Sequence, residues 1–555
     1  MVYVQNGLPV SFKKVCPSHN GYPGYYAYEY ESYYDPKLRR SRQRMVRYLG
    51  PCDKGGNLLR PPRSRFVGTT TFLSGGRLLA FYPAVVELRL RELARRALQV
   101  DEEGAAHFVS LVLNQVSDGV ADEHLPEWVQ AGPLPHLLSF PTGDLTPEAF
   151  ERVRSSLCDL SPKTNTMTDR GVELQKALTR AWRSRTRERP GVYYDVTKVD
   201  YHGWANPLAE PGHDANGGVS MVIGFGLVVS EREHHPYLCQ PLPGSLHDSL
   251  SVEDVVTMLQ ERGYRKLRLV MDRGMLSKEN VELVRGAGYH LVGLVRGWDW
   301  ETIALASRWS EEGMEQHENA VETSRGSVYT RAMTVPLFGL PRVRVAVVVN
   351  PRRKMETREA RDLALLEWEK GTLSKGRIEE LKRELRVQNP KLRMKKRYAP
   401  GLLIKSAGRR GAEVDREAVQ RDRGRDGRFL VFSTDLTLSG PEMYETYFAR
   451  DGIEKVFRTG KGELHLEPVR KHRLDRMYAS ATVLYTAWLL WSWTERTLKR
   501  KLPKMSLAEA LRLLEKVPWV RTGVGKSVRE GVPRLSGKQE EVLTALGATR
   551  YLPVV

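Results

Sequence analysis

Near the N-terminus, "YYAYEYESYYDPKLRRSRQRMVRYLG" alternates aromatic and polar residues, breaks at Asp35-Pro36 and returns as a basic run. A period of two interrupted by a turn dipeptide predicts a β-hairpin within residues 1–75. From Leu78 to Leu160 the apolar spacing lengthens to that of amphipathic helices, as in "AVVELRLRELARRAL", with Pro- and Gly-rich loops between them, so 76–185 is expected to be helical. Between Gly191 and Gly297 the short period returns. "VYYDVTKV", "GGVSMVIGFGLVVS" and "PYLCQPL" predict three strands, "SVEDVVTMLQERG" a helix, "KLRLVMD" a buried strand, "SKENVELVRGAG" a helix and "HLVGLV" a strand.

Three strands followed by helix, strand, helix and strand is the order of a ribonuclease H-like α/β domain. It is not a Rossmann order, and no dinucleotide fingerprint occurs. Residues 186–297 form the first part of this domain, and 298–439 reads as an insertion of short strands such as "RVRVAVVVN", a charged helical pair and the basic run "KLRMKKRY". Helices resume at Pro441, giving a second part over 440–500 and a helical tail over 501–555. The fold class expected is therefore α/β: a ribonuclease H-like domain with a largely β insertion, an N-terminal β-hairpin and helical region, and C-terminal helices.

At 555 residues the chain exceeds one core, and roughly three or four domains are expected. Its net charge of +20 suits a phosphate-rich partner, because each neutralised phosphate releases condensed counterions. Cys16, Cys52, Cys158 and Cys239 lie far apart with no C-x-x-C pair, which argues against a zinc knuckle or disulfide framework and fits a reducing cytosol. The start carries no apolar core of signal-peptide type. "MYASATVLYTAWLLWSWT", Met477 to Thr494, approaches the length of a short span but holds several Ser and Thr, and is read as a buried helix. "GVGKS" mimics a phosphate loop, yet Val520 stands where its first glycine belongs and no clear strand precedes it.

The candidate chemistry lies in three places. Asp195 sits mid-strand among apolar and aromatic residues, where a carboxylate is costly unless paired or bound to a metal. Asp272 ends the strand "LRLVMD", the position where α/β sheets place ligands. In "YFARDGIEKVFRTGK", Tyr447, Arg450, Glu454 and Lys461 fall at roughly 0°, 300°, 340° and 320° on a continuous helix, one narrow stripe. Singly, each aspartate has a structural reading: a cap for Asp272, a salt bridge for Asp195. Together, three hard oxygen donors from separate elements suit two Mg²⁺ ions about 3.5–4 Å apart, the clamp of phosphodiester displacement. Glu442 and Glu445 compete for the third place but lack flanking Tyr, Arg and Lys in register. His234 and His235 are expected to point opposite ways on a strand, and Asp248 to cap the helix that follows it. Gly460, a poor helix former, predicts fraying just before Lys461.

"YFARDGIEKVFRTGK" resembles the Y-x2-R-x3-E-x6-K signature of the DDE-type insertion-sequence transposases, specifically the group founded on insertion sequence four. "YYDVT" and "MDRGMLSKENVELVRGAGYHLVG" look like that group's first and second aspartate segments, and "PGSLHDS" like its P-G-N-x-x-D-S loop with Ser245 for the asparagine. The resemblance covers roughly Gly191 to Trp493. It implies a metal-dependent transposase with Asp195, Asp272 and Glu454 as catalytic and metal-binding triad. Two Mg²⁺ ions would be held, replaceable by Mn²⁺. Arg450, Lys461, Tyr447 and Arg273 would contact DNA. It further implies double-stranded element ends and target DNA as partners, a homodimeric synaptic complex, no membrane, and a prokaryotic cytoplasm beside the nucleoid. End recognition is assigned to residues before Arg185 on basic charge alone. The alternatives are a stand-alone nuclease of the same fold and a catalytically inactive DNA-binding descendant.

Overall fold

The computed structural model describes residues 10–17, 25–35, 40–55, 69–139, 145–186, 191–203, 205–213, 218–295, 300–370, 404–406, 412–414, 416–524, 527–532 and 535–553. The basic run "KLRMKKRY" and the second half of the charged helical pair fall outside them. The chain divides into two compact units.

The smaller unit draws on the described residues within 1–72 and 520–531. Strands β1 (Val10–Pro17), β2 (Tyr25–Asp35) and β3 (Arg40–Cys52) form an antiparallel sheet in the order β1-β2-β3. The expected hairpin is β2–β3, opened at Asp35↔Arg40 and shifted twice in register, and β1 adds a third strand. Cross-strand charge fixes part of the pairing: Arg44 Nε donates to Glu31 Oε2 at 2.8 Å. Strand β4 (Thr69–Ser74) joins a hairpin made of Pro518–Val524 and Ser527–Gly531. The tail is thus not wholly helical. Gly523, Val524 and Ser527 of "GVGKS" lie on this hairpin, with Val524 paired to Ser527, and a strand, not a helix N-terminus, begins at Ser527.

The larger unit is built on one ten-stranded sheet. Before it come helices at Gly76–Glu87, Leu90–Leu98, Glu102–Gln115, Pro147–Leu157 and Gly171–Arg183, with the short pair β5 (Cys158–Leu160) and β6 (Met167–Asp169). The sheet opens with β7 (Gly191–Asp200), β8 (Glu210–His213), β9 (Val219–Ser230) and β10 (Pro236–Leu242). It continues with β11 (Arg268–Met271) and β12 (His290–Leu294). Its order begins β10-β9-β7-β11-β12, antiparallel among β10, β9 and β7 and parallel among β7, β11 and β12, which is consistent with a ribonuclease H-like arrangement.

Four of the six described strands of 298–439 do not stand apart. β13 (Ala320–Thr323), β14 (Gly326–Leu337) and β15 (Leu340–Val349) follow in sequence, then a two-stranded pair, β16 (Ile404–Ser406) and β17 (Ala412–Val414), and β18 (Arg428–Ser433). β18 pairs with β12 and β15 with β18, so the sheet runs on through β18-β15-β14-β13. This pairing satisfies backbone groups that the edge of β12 would otherwise leave open.

Alternation along β7 assigns each side chain to one of two cores. Val192 and Tyr194 face the core shared with the helices Ser251–Glu261 and Lys278–Gly286. Tyr193 faces the other core, with the N-terminal helices and the helices Asp451–Gly462 and Leu474–Lys501. Asp195 has the parity of Tyr193, so it points to the second face. The stretch Met477–Thr494 lies inside Leu474–Lys501, buried on nearly every side by the surrounding helices and β10. Among the described residues no helix is long and apolar enough to cross a membrane.

Candidate active site

Parallel pairing of β7 with β11 sets Tyr194 beside Met271, so the next residues along the two strands, Asp195 and Asp272, emerge side by side. Each carboxylate gives one oxygen to local backbone. Asp195 Oδ1 accepts from the Val196 N–H at 2.9 Å, and Asp272 Oδ2 accepts from the Gly274 N–H at 3.2 Å, capping the short turn Arg273–Met275. The capping reading of Asp272 therefore holds alongside its place in the site.

The remaining oxygens meet one guanidinium. Arg450 Nη1 lies 3.4 Å from Asp195 Oδ2, and Nη2 lies 3.0 Å from Asp272 Oδ1. The Arg450 guanidinium also rests over the ring of Tyr447, 5.8 Å from its centroid. Burial opposes the Arg450 charge, but Tyr447, Asp272, Asp195 and Glu454 together raise its pKa above the ordinary value. Burial pushes the Asp195 carboxyl up to about 6; Arg450 and the Val196 N–H oppose the shift, and Asp272 and Asp248 add to it. Tyr447, also buried, is pushed up to about 12 and stays a neutral phenol.

Tyr447 and Lys461 do not ride one helix. Gly440–Phe448 ends before Arg450, which stands at the N-cap of Asp451–Gly462. The joint is tight: Arg450 N–H donates to Tyr447 O at 3.2 Å, and Gly452 N–H to Ala449 O at 2.9 Å. Gly452 lets the second helix approach His234, whose Nε2 would lie 2.0 Å from an added Cβ. The break turns Arg450 onto the aspartates. Glu454, one turn further, is exposed, and among the described residues no three His, Cys, Asp or Glu side chains are grouped to hold a metal ion. Lys461 reaches Lys198 O at 2.9 Å and Glu467 Oε1 at 3.1 Å. Arg273 follows Asp272 in the turn and bears electrostatically on Tyr447.

Several sequence expectations change. Gly460 does not fray the helix, which continues to Gly462. It is buried against Trp488, whose Cζ2 would lie 2.4 Å from an added Cβ, so glycine permits close helix contact. Asp248 is not the cap of Ser251–Glu261; Leu250 holds that position, and the Asp248 carbonyl accepts from Ser251 Oγ at 2.6 Å. The Asp248 carboxyl faces the site instead: burial raises its pKa, Lys198 and His247 oppose this, and Asp272 adds to it. His234 and His235 precede β10, with His234 at φ 52° and His235 stacked on Trp182 at 4.3 Å. Glu442 belongs to the capping box with Ser439, accepting from its N–H and hydroxyl at 2.8 Å each.

Sequence reasoning passed over the residues that hold the surrounding loops. Lys198 Nζ donates to Gly244 O at 2.6 Å, and the Ser245 N–H and hydroxyl donate to Glu210 Oε2 at 2.9 and 2.5 Å. Asn280 Nδ2 donates to Ser249 O at 2.8 Å and Met275 O at 2.7 Å, tying the Asp248 loop to the turn after Asp272. The one available signal was Asn280 in the first turn of a helix directly after an acidic strand end.

Two carboxylates from neighbouring strands, each with an oxygen turned on the Arg450 guanidinium, define an acidic site of hard oxygen donors. The site sits at the strand ends of a mixed α/β domain. Residues 186–490, more than half of the chain, match the family described as "Transposase DDE domain", and the chain belongs to that family. Among solved structures, the chain is similar to a piggyBac transposase from the cryo-EM structure of its synaptic complex with hairpin DNA. That similarity is 9% identity and a TM-score of 0.35, over 80% of this chain and 82% of that one. No curated protein matches the chain.

Proposed function

We propose that the protein is the transposase of a DNA insertion sequence, of the group founded on insertion sequence four, and acts in a prokaryotic cytoplasm. It binds the terminal inverted repeats of its element and performs cation-dependent strand cleavage and strand transfer. The observation that carries this reading is the side-by-side pair Asp195 and Asp272 turned on one positive charge. In this reading the two aspartates hold Mg²⁺, or Mn²⁺ in its place, with Glu454 as third donor. When bound, the cations supply a polarised water and counter-charge for the leaving oxygen.

The chain's own residues do the rest. Arg450 and Arg273 offer guanidiniums to the phosphates beside the cut. Tyr447 supports Arg450 from below as an uncharged ring. Lys461 braces β7 through the Lys198 carbonyl, setting the height of Asp195. Two copies pair the element ends, and residues before Arg185 read them.

Linear DNA bearing candidate ends, incubated with Mg²⁺, tests the reading. Cleavage is expected from the wild type and not from Asp272→Asn. Cleavage by both proteins overturns the assignment of the aspartates, and cleavage by neither overturns the enzymatic reading.

A further inference from the structure

We propose that Arg450 and a divalent cation compete for one seat between Asp195 and Asp272, so that loading the cation releases the guanidinium toward DNA phosphate. The inference rests on the metal-holding role proposed above for the two aspartates. Its basis is how their four oxygens are used. Asp195 Oδ1 and Asp272 Oδ2 each accept one hydrogen bond from local backbone, from the Val196 and Gly274 N–H groups. The other two oxygens, Asp195 Oδ2 and Asp272 Oδ1, both meet Arg450. A cation held by both carboxylates would draw first on these two oxygens, the pair already turned toward one positive charge. Guanidinium and divalent cation carry like charge, so they exclude each other.

Arg450 is placed to leave. It stands at the joint between two helices rather than within either, with 15% of its side chain exposed, and Glu454 lies one turn away on the exposed side. Displacement therefore carries the guanidinium out toward solvent, where DNA phosphate would meet it.

Calorimetric titration of Mn²⁺ into the full chain without DNA tests this, on wild type, Arg450→Gln, Arg450→Lys and Asp272→Asn, each checked for folding by circular dichroism. Arg450→Gln is expected to bind Mn²⁺ about tenfold more tightly, the factor set by removing one or two charge-assisted hydrogen bonds from the competition. Arg450→Lys, which cannot fork to both carboxylates, is expected between the two, and carries the test alone if the glutamine variant does not fold. Affinity equal to or weaker than wild type in the glutamine variant, or in the lysine variant where that stands alone, overturns the exchange. Loss of binding in Asp272→Asn with no tightening in the Arg450 variants sinks the exchange only. Undiminished binding in Asp272→Asn sinks the metal-holding role itself.

Discussion

Replacing Asp195 with asparagine is expected to stabilise the protein while abolishing its chemistry. The carboxyl is largely withdrawn from solvent on the helix-covered face of β7, and its pKa rises from an ordinary 3.8 to about 6. A raised acid binds its proton more tightly folded than unfolded, so its favourable contribution is complete below 3.8 and is lost as pH climbs to about 6. With those two values, ionised Asp195 costs about 3 kcal/mol at pH 7.5 and about 0.6 kcal/mol at pH 4. Asparagine resembles the protonated acid in shape and removes that cost. Melting curves in EDTA should place Asp195→Asn a few degrees above wild type at pH 7.5, with the gap nearly closed at pH 4. A variant that melts below wild type at pH 7.5, or a gap independent of pH, would refute the claim that burial dominates this carboxylate.

Gly460→Ala should lower the melting temperature by the equivalent of about 1–3 kcal/mol, since its methyl meets Trp488, whereas Gly462→Ala, with open space around it, should not; equal effects would refute the close-contact argument. Asn280→Ala should slow DNA cleavage and destabilise by about 2 kcal/mol, measured by melting, because two carbonyl partners are lost together. Lys461→Met should lower stability by about 1 kcal/mol and leave the salt dependence of DNA binding unchanged; a slope reduced by about one unit would show a phosphate contact instead.

The strands carrying the site were legible because a period of two survives in "VYYDVTKV" and "LRLVMD", and because an acid mid-strand and an acid at a strand end are both out of place for packing alone. The joint at Arg450 was not legible. Angular arithmetic assumes a continuous helix, and the tight turn at Ala449–Arg450 depends on Gly452 meeting His234, a residue more than two hundred positions away in sequence. Gly460 misled for the same reason: its helix propensity is local, while its contact with Trp488 is tertiary. The strands of 298–439 were seen as strands, but their partner, the open edge of β12, is a property of the assembled sheet.

The pair at Asp195 and Asp272 explains why the surrounding scaffold is so tightly tied. Two like charges on adjacent strands repel, and Asp272 adds to the upward shift of Asp195, though less than burial does and less than Arg450 takes away. Nothing in β7 or β11 alone offsets that. The turn after Asp272 is held by Asn280, the Asp248 loop by Lys198 and Glu210, and the helix bearing Arg450 by Trp488 against Gly460. Each tie removes a route by which the strands could part or the loops swing aside to relieve the repulsion. A site under that load favours positive charge, which the Arg450 guanidinium supplies to both acids at once.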